Sequence, residues 1–163
     1  MIKSVVGKIL FVNLSDGSHR VEDVPQEVYQ NYLSGLGLGV HTLYNHIPAG
    51  ADPFGEDNML GFVGGILTGT GAMFSGRFLV VGKSPIPGGW GDANCGGNLA
   101  PLIKQSGYDG IFIKGIVSQP VYVHVHNGKV EILPAEDLWG KDTIDTEDTL
   151  IQRHGTRARV ACI

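Results

Sequence analysis

One stretch decides the fold, Leu10-Phe11-Val12-Asn13-Leu14-Ser15-Asp16-Gly17, and it recurs as Val121-Tyr122-Val123-His124-Val125-His126-Asn127-Gly128. In both copies aliphatic residues occupy every second position, which predicts a strand with one aliphatic face. Asp-Gly and Asn-Gly tolerate the positive φ that tight turns require. Both copies are therefore predicted to be strands that enter a tight hairpin.

The resemblance between the two copies continues beyond the hairpins. In each copy a returning strand is followed by a proline, which is favoured at the start of a helix, and by a short helical run that ends at a glycine. A second helical run then leads into another strand. The matched pairs are His19 to Val24 with Lys129 to Leu133, Pro25 with Pro134, Gly35 with Gly140, Gly37 to Ile47 with Asp142 to His154, and Met59 to Ile66 with Ala158 to Ile163. The sequence thus predicts an α+β fold of two β-hairpin, helix, strand units related by a pseudo-twofold axis, the second truncated at Ile163.

Composition excludes several classes of function. The 163 residues suit one domain, and the net charge of -4 argues against nucleic acid or an anionic membrane as a partner. The uncharged stretch from Met59 to Gly76 is too rich in glycine for a membrane helix. With Cys95 and Cys162 as its only cysteines, the chain has no disulfide framework, and no targeting signal precedes the first strand. A cytoplasmic location is expected.

Glycine is concentrated between Gly61 and Gly97, and the stretch ends in Gly88-Gly89-Trp90-Gly91-Asp92-Ala93-Asn94-Cys95-Gly96-Gly97 before a helical run from Leu99 to Ser106. Glycine lets backbone amides approach a ligand closely, and a helix N-terminus favours an anion. The segment predicts a backbone-built cradle for a large anionic ligand, reached through a strand from Phe78 to Gly82 and a proline-broken loop. Trp90 either packs there or lines the ligand site.

Two nucleotide-binding motifs are near misses. Gly82-Lys83-Ser84 is followed by prolines that forbid the helix of a phosphate loop. Gly35-Leu36-Gly37-Leu38-Gly39 lacks the spacing of a dinucleotide-binding fingerprint and is interpreted as a flexible break between two helices. His124 and His126 share one strand face, where an ordinary polar hairpin face is favoured over a metal-binding pair.

Seven motifs in order resemble the N-terminal domain of tungsten-containing aldehyde:ferredoxin oxidoreductases. They are Gly7 to Leu14, Gly35 to Gly39, Leu67-Thr68-Gly69-Thr70 with Ser75-Gly76-Arg77, Lys83-Ser84-Pro85, Ala93 to Gly97, Gly107 to Gly110, and Leu138 to Lys141. The resemblance covers nearly the whole chain. It implies that residues 1–163 form a base for two pyranopterin-dithiolene groups, which hold one tungsten or molybdenum and whose phosphates are bridged by magnesium.

The same resemblance implies roles for individual residues. Arg77 faces a pterin phosphate, which suits its planar fork of donors. Asn94 ligates the bridging magnesium through its backbone carbonyl, an oxygen ligand of the kind that this ion prefers. Gly96 meets the pterin through its main chain, and Cys95 stands in this cofactor-binding segment where a serine is typical. No catalytic residue is assigned within the chain.

What the chain lacks also shapes the expected function. A [4Fe–4S] cluster requires four thiolates, so the family's cluster is expected to bind outside this chain, in C-terminal domains of the same protein. The resemblance implies oxidation of aldehydes to carboxylic acids with ferredoxin as electron acceptor. A homo-oligomer is expected for a separate reason: without the later domains, the apolar face that would hold cofactor and partners lies open and favours self-association. Two alternatives stay open from the sequence: a free-standing carrier of a pterin cofactor, and a non-catalytic interaction domain.

Overall fold

A computed structural model describes residues 4–162, which divide into one compact unit ending at Ile116 and another beginning at Val117. The first unit contains β1 (Lys8–Asn13), β2 (Ser18–Asp23), α1 (Gln26–Tyr32), α2 (Leu36–His46), β3 (Met59–Gly64), β4 (Phe78–Lys83), β5 (Trp90–Cys95), α3 (Leu99–Gln105) and β6 (Gly110–Lys114). The second contains β7 (Val121–His126), β8 (Lys129–Pro134) and α4 (Thr143–His154). The predicted α+β class is confirmed.

The first unit is built on a six-stranded sheet in the order β2-β1-β6-β3-β4-β5. Strands β1 and β6 run parallel, and the other neighbours pair antiparallel. The predicted hairpin of β1 and β2 is present, but the loop between them has four residues because β1 ends at Asn13. Every residue from Ile9 to Val12 is buried, since β6, which the sequence did not predict, makes β1 an interior strand.

Helix α2 covers β3 and β4 on one face of this sheet, α1 packs against α2, and α3 packs against β3 and β6. Phe11 of β1 stacks on its parallel neighbour Phe112 with 5.6 Å between ring centroids. Burying each large apolar side chain contributes about 1.5–3 kcal/mol. The core that results is formed by Ile9, Phe11, Tyr29, Leu38, Leu43, Met59, Val63, Val81 and Phe112.

A buried carboxylate fixes the start of β1 to the sheet. Asp109 is fully buried and accepts hydrogen bonds from the backbone N–H groups of Val6 and Gly7, at 2.9 Å and 2.7 Å. The hydroxyl of Tyr29 donates to the same carboxylate at 2.7 Å, and the Lys104 ammonium lies 3.5 Å from it. Burial and the hydrogen bond to Asp109 raise the pKa of Tyr29, so its hydroxyl remains a donor.

The glycine run at the start of α2 is not a flexible break, so that expectation was wrong. Gly35 adopts φ 59° before the helix and its N–H donates to Gly64 O at 3.0 Å, which ties the helix junction to β3. Gly37 and Gly39 lie inside α2, at positions where a side chain would collide with neighbouring atoms. A Cβ on Gly37 would lie 1.8 Å from Tyr32 O, and one on Gly39 would lie 3.2 Å from Val81 Cγ1.

We expect Gly37→Ala to destabilise the chain by about 1–3 kcal/mol, the range for overpacking, because the obstructing atom belongs to the backbone. The control is Gly89→Ala, whose Cβ would meet nothing within 4 Å. Urea unfolding followed by circular dichroism measures both variants. Equal midpoints for the two would contradict this account of the close approach of α2 to Tyr32.

The loop expected around Trp90 is wrong, because Trp90–Cys95 form the edge strand β5, while the ligand cradle stays a prediction. Strand β5 pairs with β4 along its whole length, from Lys83 opposite Trp90 to Phe78 opposite Cys95. The turn before it is closed by Ser84 N donating to Gly89 O at 2.8 Å. The prolines of the intervening loop lack an N–H and do not interrupt the ladder, because they lie in the turn rather than in either strand.

The second unit contains the second predicted hairpin. Strands β7 and β8 pair from Val121 opposite Pro134 to His126 opposite Lys129. The turn residues Asn127 and Gly128 have φ 50° and 77°, as a two-residue hairpin requires. Helix α4 follows, and the Asp142 carboxylate caps it by accepting from Asp145 N at 2.8 Å.

Two predicted elements of the second unit are absent from the described residues. The helix predicted from Pro134 to Gly140 is wrong: Pro134 ends β8, where it pairs with Val121, and residues 136–140 form turns in which Leu138 N and Trp139 N donate to Ala135 O. The strand predicted from Ala158 is also wrong over residues 158–162, where no neighbouring strand satisfies its backbone, and Ile163 lies outside the described residues. The pseudo-twofold relation between the units stays a prediction.

None of the helices within residues 4–162 has the length and apolar character needed to cross a membrane. The uncharged stretch that begins at Met59 forms strand β3 and then turns, in agreement with its glycine content.

Candidate functional site

Arg77 and Asn94, which lie 17 positions apart in the sequence, meet at one end of the β4–β5 hairpin. The Arg77 guanidinium donates from Nη1 to Asn94 Oδ1 at 2.6 Å. Arg77 directly precedes β4, while Asn94 is the next-to-last residue of β5, where Leu79 lies opposite it. The hairpin therefore brings together the two predicted residues on which the candidate site depends.

The backbone of Asn94 points away from β4. Antiparallel pairs alternate between those that exchange backbone hydrogen bonds and those that do not. The Ser84–Gly89 pair is hydrogen-bonded, and the next residue, Lys83, directs both its backbone groups to the Asn58 side chain on the other side of β4. Continuing this alternation places Asn94 in a pair without such bonds. Its carbonyl thus projects from the outer edge of β5.

The same alternation gives β5 a polar row on one face of the sheet. Trp90, Asp92 and Asn94 share the face that α2 covers, since a Cβ on Gly39 of α2 would lie 3.6 Å from Trp90 Cη2. Trp90 Nε1 donates to Asp92 Oδ1 at 2.7 Å. Trp90 thus packs beside α2, and its role in lining a ligand site stays a prediction.

The other two predicted cofactor-binding residues lie at the end of β5. Cys95 is exposed, and its side chain is on the face opposite that of Asn94. Gly96 follows Cys95 and lies in open surroundings, because a Cβ there would meet nothing within 4 Å. The structure therefore brings Arg77 to Asn94, with Gly96 two residues further along the chain. The Cys95 thiol, on the other face of β5, contacts the Gly96 carbonyl oxygen at 3.6 Å.

The donor groups at this edge fit an anionic group accompanied by a hard cation. Of the five N–H groups of Arg77, only the one at Asn94 is engaged within the described part of the chain, which leaves donors for a phosphate. The outward carbonyl of Asn94 is an oxygen ligand for magnesium. Among residues 4–162 no group of three or more His, Cys, Asp or Glu side chains is arranged to hold a metal.

Sequence reasoning missed the contribution of Asp92. The Asp92 carboxylate lies in the same row as Asn94 and accepts a hydrogen bond from the Trp90 indole. The abundance of glycine suggested a loop, and in a loop side chains do not alternate between two faces. The signal that was available is the polar or aromatic residue at every second position, Trp90, Asp92 and Asn94, separated by small residues. That pattern is typical of a strand with one functional face.

The chain is similar to enzymes that contain tungsten. The family described as the aldehyde ferredoxin oxidoreductase N-terminal domain matches residues 9–163. The tungsten-containing aldehyde ferredoxin oxidoreductase of Pyrococcus abyssi is 39% identical over 93% of this chain, and that of Pyrococcus furiosus is 35% identical over 96%. An aliphatic sulfonate oxidoreductase, WOR-like subunit, of Pyrococcus furiosus is 33% identical over 90% of the chain.

A solved structure agrees with these relatives. The active site complex BamBC of benzoyl coenzyme A reductase, in complex with 1,5 dienoyl-CoA, superposes with a TM-score of 0.89 and 33% identity over 92% of this chain. The chain covers 23% of that structure and 25% of the Pyrococcus abyssi relative, so it spans about a quarter of the length of these proteins. Fold, sequence and the order of the motifs agree: the chain belongs to the aldehyde ferredoxin oxidoreductase family, as its N-terminal domain.

Proposed function

We propose that this domain is the cofactor-binding base of a tungsten or molybdenum bis-pterin oxidoreductase that oxidises aldehydes to carboxylic acids, with ferredoxin as electron acceptor. Support comes from the names of the tungsten-containing relatives and from the chemistry of the β4–β5 edge. The observation that carries the proposal is the Arg77–Asn94 contact at 2.6 Å, beside an outward-facing backbone carbonyl.

Each group at this edge has a distinct task in the proposal. Arg77 binds a pterin phosphate, because a guanidinium pairs with phosphate oxygens through parallel hydrogen bonds. The Asn94 side chain accepts from Arg77 and so orients the guanidinium, while the Asn94 carbonyl ligates the bridging magnesium. Gly96, without a side chain, lets the pterin approach the main chain. The bound metal supplies the two-electron redox chemistry.

The iron–sulfur cluster and the substrate pocket belong, in this proposal, to the other three quarters of the protein. Two cysteines are too few for a [4Fe–4S] cluster, and both are exposed. The C-terminal domains would cover apolar side chains that are exposed at either end of β4: Met73 and Phe74 before the strand are 84% and 98% exposed, and Ile86 in the turn after it is 95% exposed. A cytoplasmic location and a homo-oligomer are part of the same proposal.

The proposal is tested on the full-length protein purified from its native host. We expect about one tungsten or molybdenum per bis-pterin site, measured by elemental analysis, and aldehyde-dependent reduction of a viologen dye. Metal and pterin without turnover on any aldehyde would favour a different substrate of the same family. A protein with neither metal nor pterin would refute the cofactor-binding role.

The 163-residue chain by itself is expected to be folded, inactive and free of tungsten, molybdenum and iron. In the proposal the dithiolenes of two pterins hold the metal, and residues 4–162 contain no group of three or more His, Cys, Asp or Glu side chains that could hold it in their place. Elemental analysis and the viologen assay on the purified chain check this expectation. Stoichiometric tungsten or measurable turnover from these residues alone would show that the site is complete without the remaining domains.

A further inference from the structure

Three imidazoles and a phenol are packed together where α4 meets β7 in the second unit. The rings of His124 and His154 stack with 4.0 Å between centroids and 25° between planes. The ring of His126 is nearly parallel to that of His124, with 6.1 Å between their centroids. Tyr122 Oη is 3.0 Å from His154 Nε2. These contacts join the last turn of α4 to the strand.

This histidine stack is not arranged to bind a metal. Ligands of one ion direct their lone pairs to a common point, whereas His124 and His154 lie face to face. Among residues 4–162 no group of three His, Cys, Asp or Glu side chains is placed to hold an ion. Apart from metal binding, the distinctive property of the imidazole group is that it gains and loses a proton near neutral pH.

The charges around the stack come from four segments. Strand β7 contributes His124, His126 and Tyr122. Strand β8 contributes Glu131, whose Oε2 lies 3.5 Å from His124 Nδ1 and whose Oε1 accepts from Lys129. Helix α4 contributes Arg153, which pairs with Asp137 of the turn segment. One carboxylate therefore faces the stack, and its single negative charge balances the positive charge of one protonated imidazole at most.

We propose that the histidine stack makes the attachment of α4 to the β7–β8 hairpin dependent on pH, and that the last turn of α4 separates from β7 when His124 and His154 are both protonated. Few other contacts hold α4 to the β7–β8 hairpin. The apolar core of this unit consists of Ala135, Leu138 and Leu150, with Tyr122 and Val160 packed against it. Two like charges in stacked rings repel strongly in such partly buried surroundings.

The direction of the effect follows from the pKa of His154. Burial lowers this pKa first, then His124 and Arg153 lower it further, while Glu131 acts in the opposite direction. The packed state thus binds a proton less readily than a detached helix end does. The attachment is intact above the ordinary histidine pKa of about 6.5 and is lost as the pH falls below that value toward the lowered pKa of the packed state.

The experiment is an NMR titration of the labelled full chain between about pH 8 and pH 5, a range that spans histidine titration. It follows the imidazole signals and the ¹³Cα shifts of Ile151 to His154. We expect helical ¹³Cα shifts at the alkaline end and a loss of at least half of their helical displacement at the acidic end. The exposed His19 in β2 serves as an internal reference.

Three variants separate the proposal from general acid sensitivity. His124→Gln is expected to keep the last turn helical at the acidic end and to raise the pKa of His154. Glu131→Gln removes the compensating carboxylate and is expected to increase the loss of helix. His19→Gln changes an exposed histidine of β2, outside this unit, and is the matched control that should reproduce the native titration of the stack.

The proposal is overturned if the ¹³Cα shifts of the last turn are independent of pH. It is also overturned if His124→Gln and the native chain lose helix along the same curve. Should His124→Gln fail to fold, the surface change Glu131→Gln decides, because an unchanged or reduced loss of helix in that variant contradicts the role of the paired protons.

Discussion

Replacing Asp109 with alanine is expected to destabilise the chain by about 3–5 kcal/mol, the range for removing one partner of a buried ion pair. The substitution leaves the Lys104 ammonium, which is only 7% exposed, without its carboxylate. It also removes the acceptor for two backbone N–H groups and for the Tyr29 hydroxyl. The free energy of unfolding in urea, followed by circular dichroism, measures the loss.

Two further variants identify the cause. Asp23→Ala, an exposed position on β2, is expected to change stability by no more than about 0.5 kcal/mol. Combining Asp109→Leu with Lys104→Met removes both charges and is expected to recover part of the loss, since the uncompensated charge is gone. A double variant no more stable than Asp109→Ala would assign the loss to the backbone contacts alone.

The stability of Asp109→Ala is also expected to depend on pH. Burial lowers the pKa of Lys104, and Asp109 opposes that effect, so the pKa falls further when the carboxylate is removed. A lysine whose native pKa lies below its unfolded value destabilises the fold at neutral pH, and this penalty is relieved as the pH rises through the unfolded pKa, near 10.5. The variant should therefore regain stability, relative to the native chain, toward pH 10.5. If the free energies of unfolding of Asp109→Ala and of the native chain changed with pH in parallel, the proposed penalty from the buried Lys104 charge would be contradicted.

Replacing Arg77 with alanine in the full-length protein is expected to weaken retention of pterin and tungsten together by about 10- to 100-fold. Hydrogen bonds to charged groups contribute about 1.5–3 kcal/mol, and about 1.4 kcal/mol corresponds to a tenfold change. Elemental analysis and quantification of released pterin after dialysis measure the effect. Arg77→Lys keeps the charge but not the fork, and an intermediate loss is expected.

The matched control for Arg77 is Arg20→Ala. Arg20 lies on the opposite edge strand β2 and pairs with Glu22 at 2.7 Å, so its loss should leave cofactor content unchanged. Equal cofactor content in Arg77→Ala and Arg20→Ala would remove Arg77 from the proposed site. Loss of tungsten with full retention of pterin would indicate that Arg77 acts on the metal and not on the phosphate.

Local patterns in the sequence were sufficient for several elements. The Asn127-Gly128 turn, the strand from Met59, the strand from Phe78 and the helix from Leu99 all follow from side-chain alternation, turn residues and helix signals. Each of these signals acts over a few residues. Patterns of this kind failed at Trp90–Cys95, where glycine suggested a loop, because a paired neighbour can stabilise a strand that has low intrinsic propensity.

The hydrogen bond between Arg77 and Asn94 was not predicted: the resemblance to the family gave each residue a role in the cofactor site, and local propensity does not bring the two together. Their hydrogen bond depends on the register of β4 and β5, in which Phe78 lies opposite Cys95. Register is set by the turn at Pro85 to Gly88 and by burial of Val81 beneath α2. The outward direction of the Asn94 carbonyl follows from that register as well, so no reading of residue types alone yields it.

By itself, the sequence determined the α+β class, both hairpins, and membership of the family, because these depend on alternation, turn residues and the order of motifs along the chain. The tertiary structure alone decided that β6 enters the sheet beside β1, that Asp109 is a buried anchor, and that His124 stacks on His154. These features join residues far apart in sequence. Their energies come from burial and from close contact, which arise only once the chain has folded.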